Sequence, residues 1–317
     1  MSLVAIERLR ITSQKGGLPV RQSSFAPYQR ALWVTVLAVT ALTFHLSWPS
    51  ARFLLAAPPP TRPEAPQADS SDEARRSAVQ SIPIEKLDSI GRAKVGAVLS
   101  KVSIFRRLPP YAVECDPNLY LFMVRHPDVV VNIWEVLKIS KLKVQQIGPN
   151  TYQVADTVGT SAKIEFLYSS FDTHVLYAEG KYEGALLPVP ITGRCLAVLK
   201  TGYIRETDGR FYVTSRLDSF LSLEQGGAEL LAKTLLPWLG KTADTNFVQS
   251  IAFLGSLSKT AEVNGLGVQH LAARLDRVQP ELRLKLAELA ANIAEKSAVQ
   301  SSAASSSTPR VAVRDGQ

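Results

Sequence analysis

The stretch TGYIRETDGRFYVTSRLDSF, residues 201–220, decides the fold. Asp208-Gly209 stands between two runs rich in Tyr, Phe, Val and Thr, and an acidic-glycine pair supplies the backbone conformation that a tight hairpin turn requires. The spacing predicts one strand over 194–206 and a second over 210–223. Successive strand side chains point to opposite faces, so the second strand divides into two rows. Phe211, Val213, Ser215, Leu217 and Ser219 make the more apolar row, and Tyr212, Thr214, Arg216 and Asp218 the polar one.

Upstream of the hairpin the same period recurs. Leu142, Val144 and Gln146 alternate with lysine and glutamine before the turn Gly148-Pro149-Asn150, and Tyr152 and Val154 follow it. Ala162, Ile164, Phe166 and Tyr168 form one further alternating set, and His174, Leu176, Ala178, Gly180 and Tyr182 another. Their connections are too short for crossover helices, so the strands are antiparallel. Earlier still, Asp116-Pro117 and His126-Pro127-Asp128 are helix starts, each followed by apolar residues at helical spacing: Leu119, Phe122 and Met123, then Val130, Ile133, Trp134 and Leu137. A first strand precedes them, interrupted by Pro109 and Pro110, and a modest helix lies within 81–100. Downstream, Leu230, Leu231, Leu235 and Trp238, then Phe247, Ile251, Phe253, Leu254 and Leu257, predict a long helix, with Pro237 or Gly240 as its bend. The expected fold is α+β: a curved antiparallel sheet covered by a long C-terminal helix, with a cavity between them.

DPNLYLFMVRHPDVVVNIWEVL (116–137), the strand meander, LLPVPITG (186–193), the hairpin and AELLAKTLLPWLG (228–240) together resemble the helix-grip fold of the START-related, polyketide-cyclase-like (SRPBCC) lipid-binding superfamily. The resemblance spans roughly 108–260 and rests on element order, with no diagnostic catalytic motif. It implies an enclosed hydrophobic ligand, with cyclase, hydrolase or non-enzymatic partner roles as the alternatives.

The flanks read differently. Residues 31–48, ALWVTVLAVTALTFHLSW, carry no formal charge, and Trp33 and Trp48 lie near the two ends. That length is near the lower limit for a membrane-spanning helix. The basic segment 1–30, with Arg8, Arg10, Lys15, Arg21 and Arg30, would stay cytoplasmic and the rest would lie outside, periplasmic in a bacterium. A cleaved signal peptide is the competing reading, disfavoured by Leu55 or Pro49 where a small residue belongs. Residues 49–80, including PPPTRPEAPQADSSD, are expected to be a Pro-rich disordered linker, 81–107 a helical extension, 261–296 C-terminal helices and 297–317 a disordered Ser/Ala-rich tail. In the C-terminal helices the stripe Leu282, Leu286, Leu289 and Ile293 would dock in cis, pair with a second copy, or lie on a membrane.

The net charge of +8 comes partly from the basic segment before residue 31, and the basic groups farther along are short, so nucleic acid is not an expected partner. No HExxH or cysteine pair at metal-ligand spacing is present, and no cofactor is expected. Cys115 and Cys195 are either a disulfide, worth roughly 4 kcal/mol in the chain-entropy picture, or two buried thiols.

Three groups of residues are candidates for chemistry. Phe166, Leu199, Tyr203, Phe211, Val213, Leu217 and Trp238 would line an apolar pocket or fill a core. Asp172 and His174, two apart, would form an acid-base set with Tyr182, or lie on the surface near a turn. Arg216, beside Asp218, would orient a ligand head group or sit on a solvated outer face as an ion pair. These features predict an exported, membrane-tethered domain that binds or transfers a hydrophobic small molecule or lipid. A pocket enzyme and an envelope interaction module are the alternatives.

Overall fold

A computed structural model of the chain describes residues 68–184, 190–224 and 236–306, apart from the side chains of 236–242 and 301–306. The hairpin turns at Asp208-Gly209: Gly209 has φ 87°, Glu206 N–H donates to the Arg210 carbonyl at 2.8 Å, and Gly209 N–H donates to the Glu206 carbonyl at 2.9 Å. A residue with Cβ would be strained at that φ.

In chain order the elements are α1 (Asp72–Gln80), a single 3-10 turn (Ile84–Lys86), α2 (Ser89–Leu99), β1 (Ile104–Arg107), β2 (Tyr111–Glu114), α3 (Pro117–Arg125) and α4 (Pro127–Val136). There follow β3 (Lys143–Gly148), β4 (Thr151–Ala155), β5 (Thr160–Ser169), β6 (Thr173–Tyr182), β7 (Ile191–Arg205) and β8 (Phe211–Leu223). The chain continues with α5 (Leu236–Val263), α6 (Gly265–Ala273) and α7 (Pro280–Ser306). The strands form one curved antiparallel sheet in the order β1-β8-β7-β6-β5-β4-β3, with β2 also paired to β8. This architecture fits a helix-grip fold.

The expected first strand is two. β1 pairs with β8 from Ile104↔Leu221 to Arg107↔Asp218, and β2 from Tyr111↔Ser215 to Glu114↔Tyr212. Pro109 and Pro110 break the ladder because proline has no amide to donate, while Leu108 N–H still donates to the Leu217 carbonyl at 2.8 Å and holds the register. The two short helices start as their sequence signals predict. Asp116 caps α3 by accepting from Asn118 N–H at 2.9 Å and Leu119 N–H at 3.1 Å, and Pro127 opens α4 where no amide partner is needed.

On the inner face the helices and sheet share one core. Trp134 of α4 is fully buried and meets Phe253 of α5 edge-on at 5.6 Å between ring centroids. Gly255 lets α5 cross β2 closely, since a Cβ there would lie 2.9 Å from Val113 Cβ. α5 runs from Leu236 to Val263 and includes both Pro237 and Gly240. The expected onset of the helix, residues 228–235, lies outside the described residues.

Three expectations about the flanks change, and a fourth resolves to one of its alternatives, docking in cis. Residues 72–80 of the expected linker are α1, started by Ser71, whose hydroxyl accepts from Ala74 N–H at 3.2 Å. The expected extension at 81–107 includes β1, which belongs to the sheet, and α1 and α2 form a layer on the outer sheet face. There Ala74, Ala78, Val95 and Val98 bury Phe105, Val175, Leu196, Val198 and Phe220. The reading of the outer face as wet missed this because the covering apolar residues come from outside the recognised fold. The expected tail is helical as far as Ser306, continuing α7 through serine and alanine; alanine is the strongest helix former and each added residue extends an existing helix without a new nucleus. Finally, Leu286, Leu289 and Ile293 are buried in cis against α5 and α6, with Leu282 packed at the margin, so pairing of two copies through this stripe would require it to leave its own core.

Candidate functional site

The curved sheet and α5 do not close completely on each other. Between them is a cavity of about 100 Å³, several times the 10–15 Å³ or so that one water needs. The sheet supplies Val144 and Val154 from its far edge, Ile164 and Phe166 of β5, Leu176 of β6, Ala197 and Leu199 of β7, and Leu217 of β8. Met123 and Val124 of α3, and Pro127, Val130 and Val131 of α4, wall one side. Phe247, Ile251 and Leu254 of α5, at helical spacings of four and three, form the roof.

Two hydroxyls interrupt this apolar wall. Ser250 donates to the carbonyl of Asn246 in its own helix at 2.7 Å, and Tyr152 donates to the carbonyl of Arg125 at 3.1 Å. Burial raises the Tyr152 phenol well above its ordinary value, with the Asp128 charge adding to the effect, so the phenol remains protonated. Such a wall favours hydrocarbon over water.

Of the residues singled out in the sequence, Phe166, Leu199 and Leu217 line the cavity. Val213 is in the buried core outside the lining. Tyr203 turns aside to stack on Phe171 at 4.2 Å and donates its hydroxyl to the Phe171 carbonyl at 2.8 Å. Phe211 lies under the Arg205 guanidinium at 5.5 Å from the ring centroid. The Trp238 side chain lies outside the described residues, as do residues 31–48. Among the described residues no helix is long and apolar enough to cross a membrane.

Sequence reading passed over Ile164, Leu176 and Ala197, and over the α5 triad, as lining. Their alternation and helical spacing were visible, but only the register, such as Leu176↔Ala197 and Phe166↔Leu176, shows which of them face one another.

The acid-base set does not assemble. Asp172 is exposed in the turn before β6 and accepts from the Ser170 hydroxyl at 2.8 Å. His174 and Tyr182 lie eight residues apart on one strand, about 26 Å at strand rise. The surface reading of His174 also fails, because its side chain is on the inner face: it pairs across the ladder with Leu199 and meets Phe166 edge-on at 6.4 Å between centroids. His174 is 0% exposed, and neither ring nitrogen has a hydrogen-bond partner among the described residues.

Burial pushes the His174 pKa down to about 4, with Arg125 adding to the effect and Asp172 partly opposing it. The unfolded imidazole takes a proton near pH 6.5 and the folded one only near pH 4, so this group costs nothing above 6.5 and loses stability as the pH falls between those values. The expected loss is on the order of 3 kcal/mol. Urea unfolding at pH 7.5 and 4.5 should show His174→Phe losing less stability than the wild type by that margin; equal losses would refute the buried neutral histidine.

Arg216 faces outward with Asp218, away from the cavity, so it cannot contact a ligand there. Strand alternation puts both on the face opposite Leu217. Arg107 donates to both Asp218 oxygens, at 2.6 and 3.0 Å, and Arg216 lies 3.6 Å away. Asp218 is thus a carboxylate at 0% exposure held by two guanidiniums where α1, α2 and the sheet meet. Cys115 and Cys195 are free and buried, and burial raises each thiol to about 12. Among the described residues no three metal-capable side chains come together.

No protein-family model and no curated relative matches the sequence. Similar solved structures include a conserved protein from Geobacillus kaustophilus, with 14% identity over 49% of this chain and 95% of that one and a TM-score of 0.35. A hypothetical protein from Helicobacter pylori has 16% identity over 46% of this chain and 86% of its own, with a TM-score of 0.29. Ara h 8.0201 has 10% identity over 46% of this chain and 99% of its own, with a TM-score of 0.26. The fold assignment rests on sheet order and helix placement.

Proposed function

We propose that this chain is a START-like carrier, exported and tethered through residues 31–48, that binds or transfers a hydrophobic small molecule or lipid in the cavity under α5. The observation that supports the reading is the wall itself: Phe166, Leu176, Leu199, Leu217, Ile251 and Leu254 surround unfilled space. Water there would lose hydrogen bonds, whereas an alkyl chain gains roughly 0.8 kcal/mol for each CH₂ removed from water.

The carrier reading is preferred over a pocket enzyme because the lining hydroxyls already donate to backbone carbonyls and Asp172, His174 and Tyr182 do not assemble into an acid-base set. Residues between 49 and Asp69 would serve as the spacer, whose end is held to the sheet edge by paired hydrogen bonds of 2.8 Å between the Asp69 and Arg107 backbones. Native mass spectrometry of the full chain, with extraction of its bound material, is expected to show one apolar molecule per chain. An empty protein that also fails to bind a fluorescent fatty-acyl probe saturably would refute the carrier reading.

A further inference from the structure

One end of the cavity is unlike the rest. At the α3–α4 elbow the Tyr152 hydroxyl reaches the Arg125 carbonyl at 3.1 Å, Tyr152 meets Phe166 edge-on at 6.0 Å, and Phe166 meets His174 at 6.4 Å. Beside this aromatic pair lie buried polar atoms with no hydrogen-bond partner among the described residues. Both His174 nitrogens are unpaired at 0% exposure, and so is Asp128 Oδ1 at 4% exposure in the first turn of α4. Orphaned polar atoms at this depth each cost about as much as a lost hydrogen bond, and apolar side chains would serve better if packing were their only role.

The orphans differ in what they need. A neutral imidazole presents one donor and one acceptor, and a carboxylate oxygen needs a donor. A hydroxyl can both donate and accept. A carboxylate ligand would find no buried cation there among the described residues, because the neighbouring Arg125 is exposed and donates to the Ser170 carbonyl at 3.1 Å, and an ionised Asp128 would repel it. We propose that the cavity's occupant is an amphiphile with a neutral hydroxyl head, seated at the elbow end against His174 and Asp128, with its apolar chain along the aliphatic wall. This inference rests on the carrier reading and names the ligand class for the same site. His174 is next to Leu199 in the register and one step beyond Leu176 on the same face, and both of those residues line the cavity. Phe166, whose ring centroid is 6.4 Å from that of His174, itself lines the cavity, and the proposal requires that ring to turn aside so that the imidazole meets the head.

The test uses the full chain in lipid nanodiscs, with empty discs as reference, titrated calorimetrically with 1-decanol, decyl methyl ether and decanoate. The wild type is expected to bind decanol about tenfold tighter than the ether, which equals about 1.4 kcal/mol, and tighter than decanoate at pH 7. His174→Phe should bring decanol to within twofold of the ether, while the ligand-free protein stays folded. Asp128→Asn should reduce the same preference while the ligand-free protein stays folded. Equal wild-type affinity for decanol and ether would overturn the hydroxyl head and leave the carrier reading standing. Preference for decanoate, or a preference that survives His174→Phe, would also overturn it. If none of the three binds, the carrier reading falls first and this inference with it.

Discussion

Ala197→Phe in the full chain is expected to reduce binding of a fatty-acyl probe at least 100-fold while leaving the protein folded. Ala197 is a small residue in the cavity wall, between its ladder partners Leu176 and Ser219 and next to Leu199. An aromatic ring there would occupy the space assigned to the ligand. Overpacking a filled core costs about 1–3 kcal/mol, but here the added atoms enter a void and gain the contacts that its lining lacks. Stability should therefore change little while affinity falls by 2.7 kcal/mol or more, the equivalent of 100-fold. Ala197→Leu should give an intermediate loss, which separates graded filling from misfolding. Undiminished probe binding in a folded Ala197→Phe protein would place the ligand elsewhere.

Arg107→Ala is expected to cost about 3 kcal/mol of stability, near the lower end for breaking a buried ion pair. The Asp218 carboxylate would stay at 0% exposure with only Arg216 nearby, at 3.6 Å and itself about a third exposed. Arg107 is 17% exposed, so solvent screens part of the interaction and the upper end of the range is not expected. The charge is where Asp69 joins β1, so the same change should expose α1 and α2 to amide exchange before the inner core. A double Arg107→Met, Asp218→Leu variant should recover most of the loss, because no uncompensated charge remains. Urea midpoints decide the matter: a loss below about 1 kcal/mol in Arg107→Ala would mean that water reaches Asp218.

Much of the strand order was legible because it depends on local signals. Alternation marked the strands from Leu142 through Tyr182, Asp208-Gly209 marked the hairpin, and Asp116-Pro117 marked the start of α3. His174 was not legible. Its neighbours in sequence include Ser170 and Asp172, both turn-forming, whereas Phe166, which meets its ring, and Leu199, its ladder partner, come from neighbouring strands. Arg216 and Asp218 were placed on one face by their spacing, but the depth of Asp218 is set by Arg107, more than a hundred residues earlier.

From its residues alone, this chain determines an antiparallel meander, a covering C-terminal helix and a surplus of apolar groups on one sheet face, because period and turn chemistry act between near neighbours. Tertiary structure decided that this apolar face encloses space instead of meeting α5 everywhere, that α1 and α2 close the opposite face, and that one histidine is buried without partners. Those outcomes depend on how far apart sheet and helix stand and which side chains meet across the gap. Volume left unfilled between distant segments has no counterpart in the order of residues along the chain.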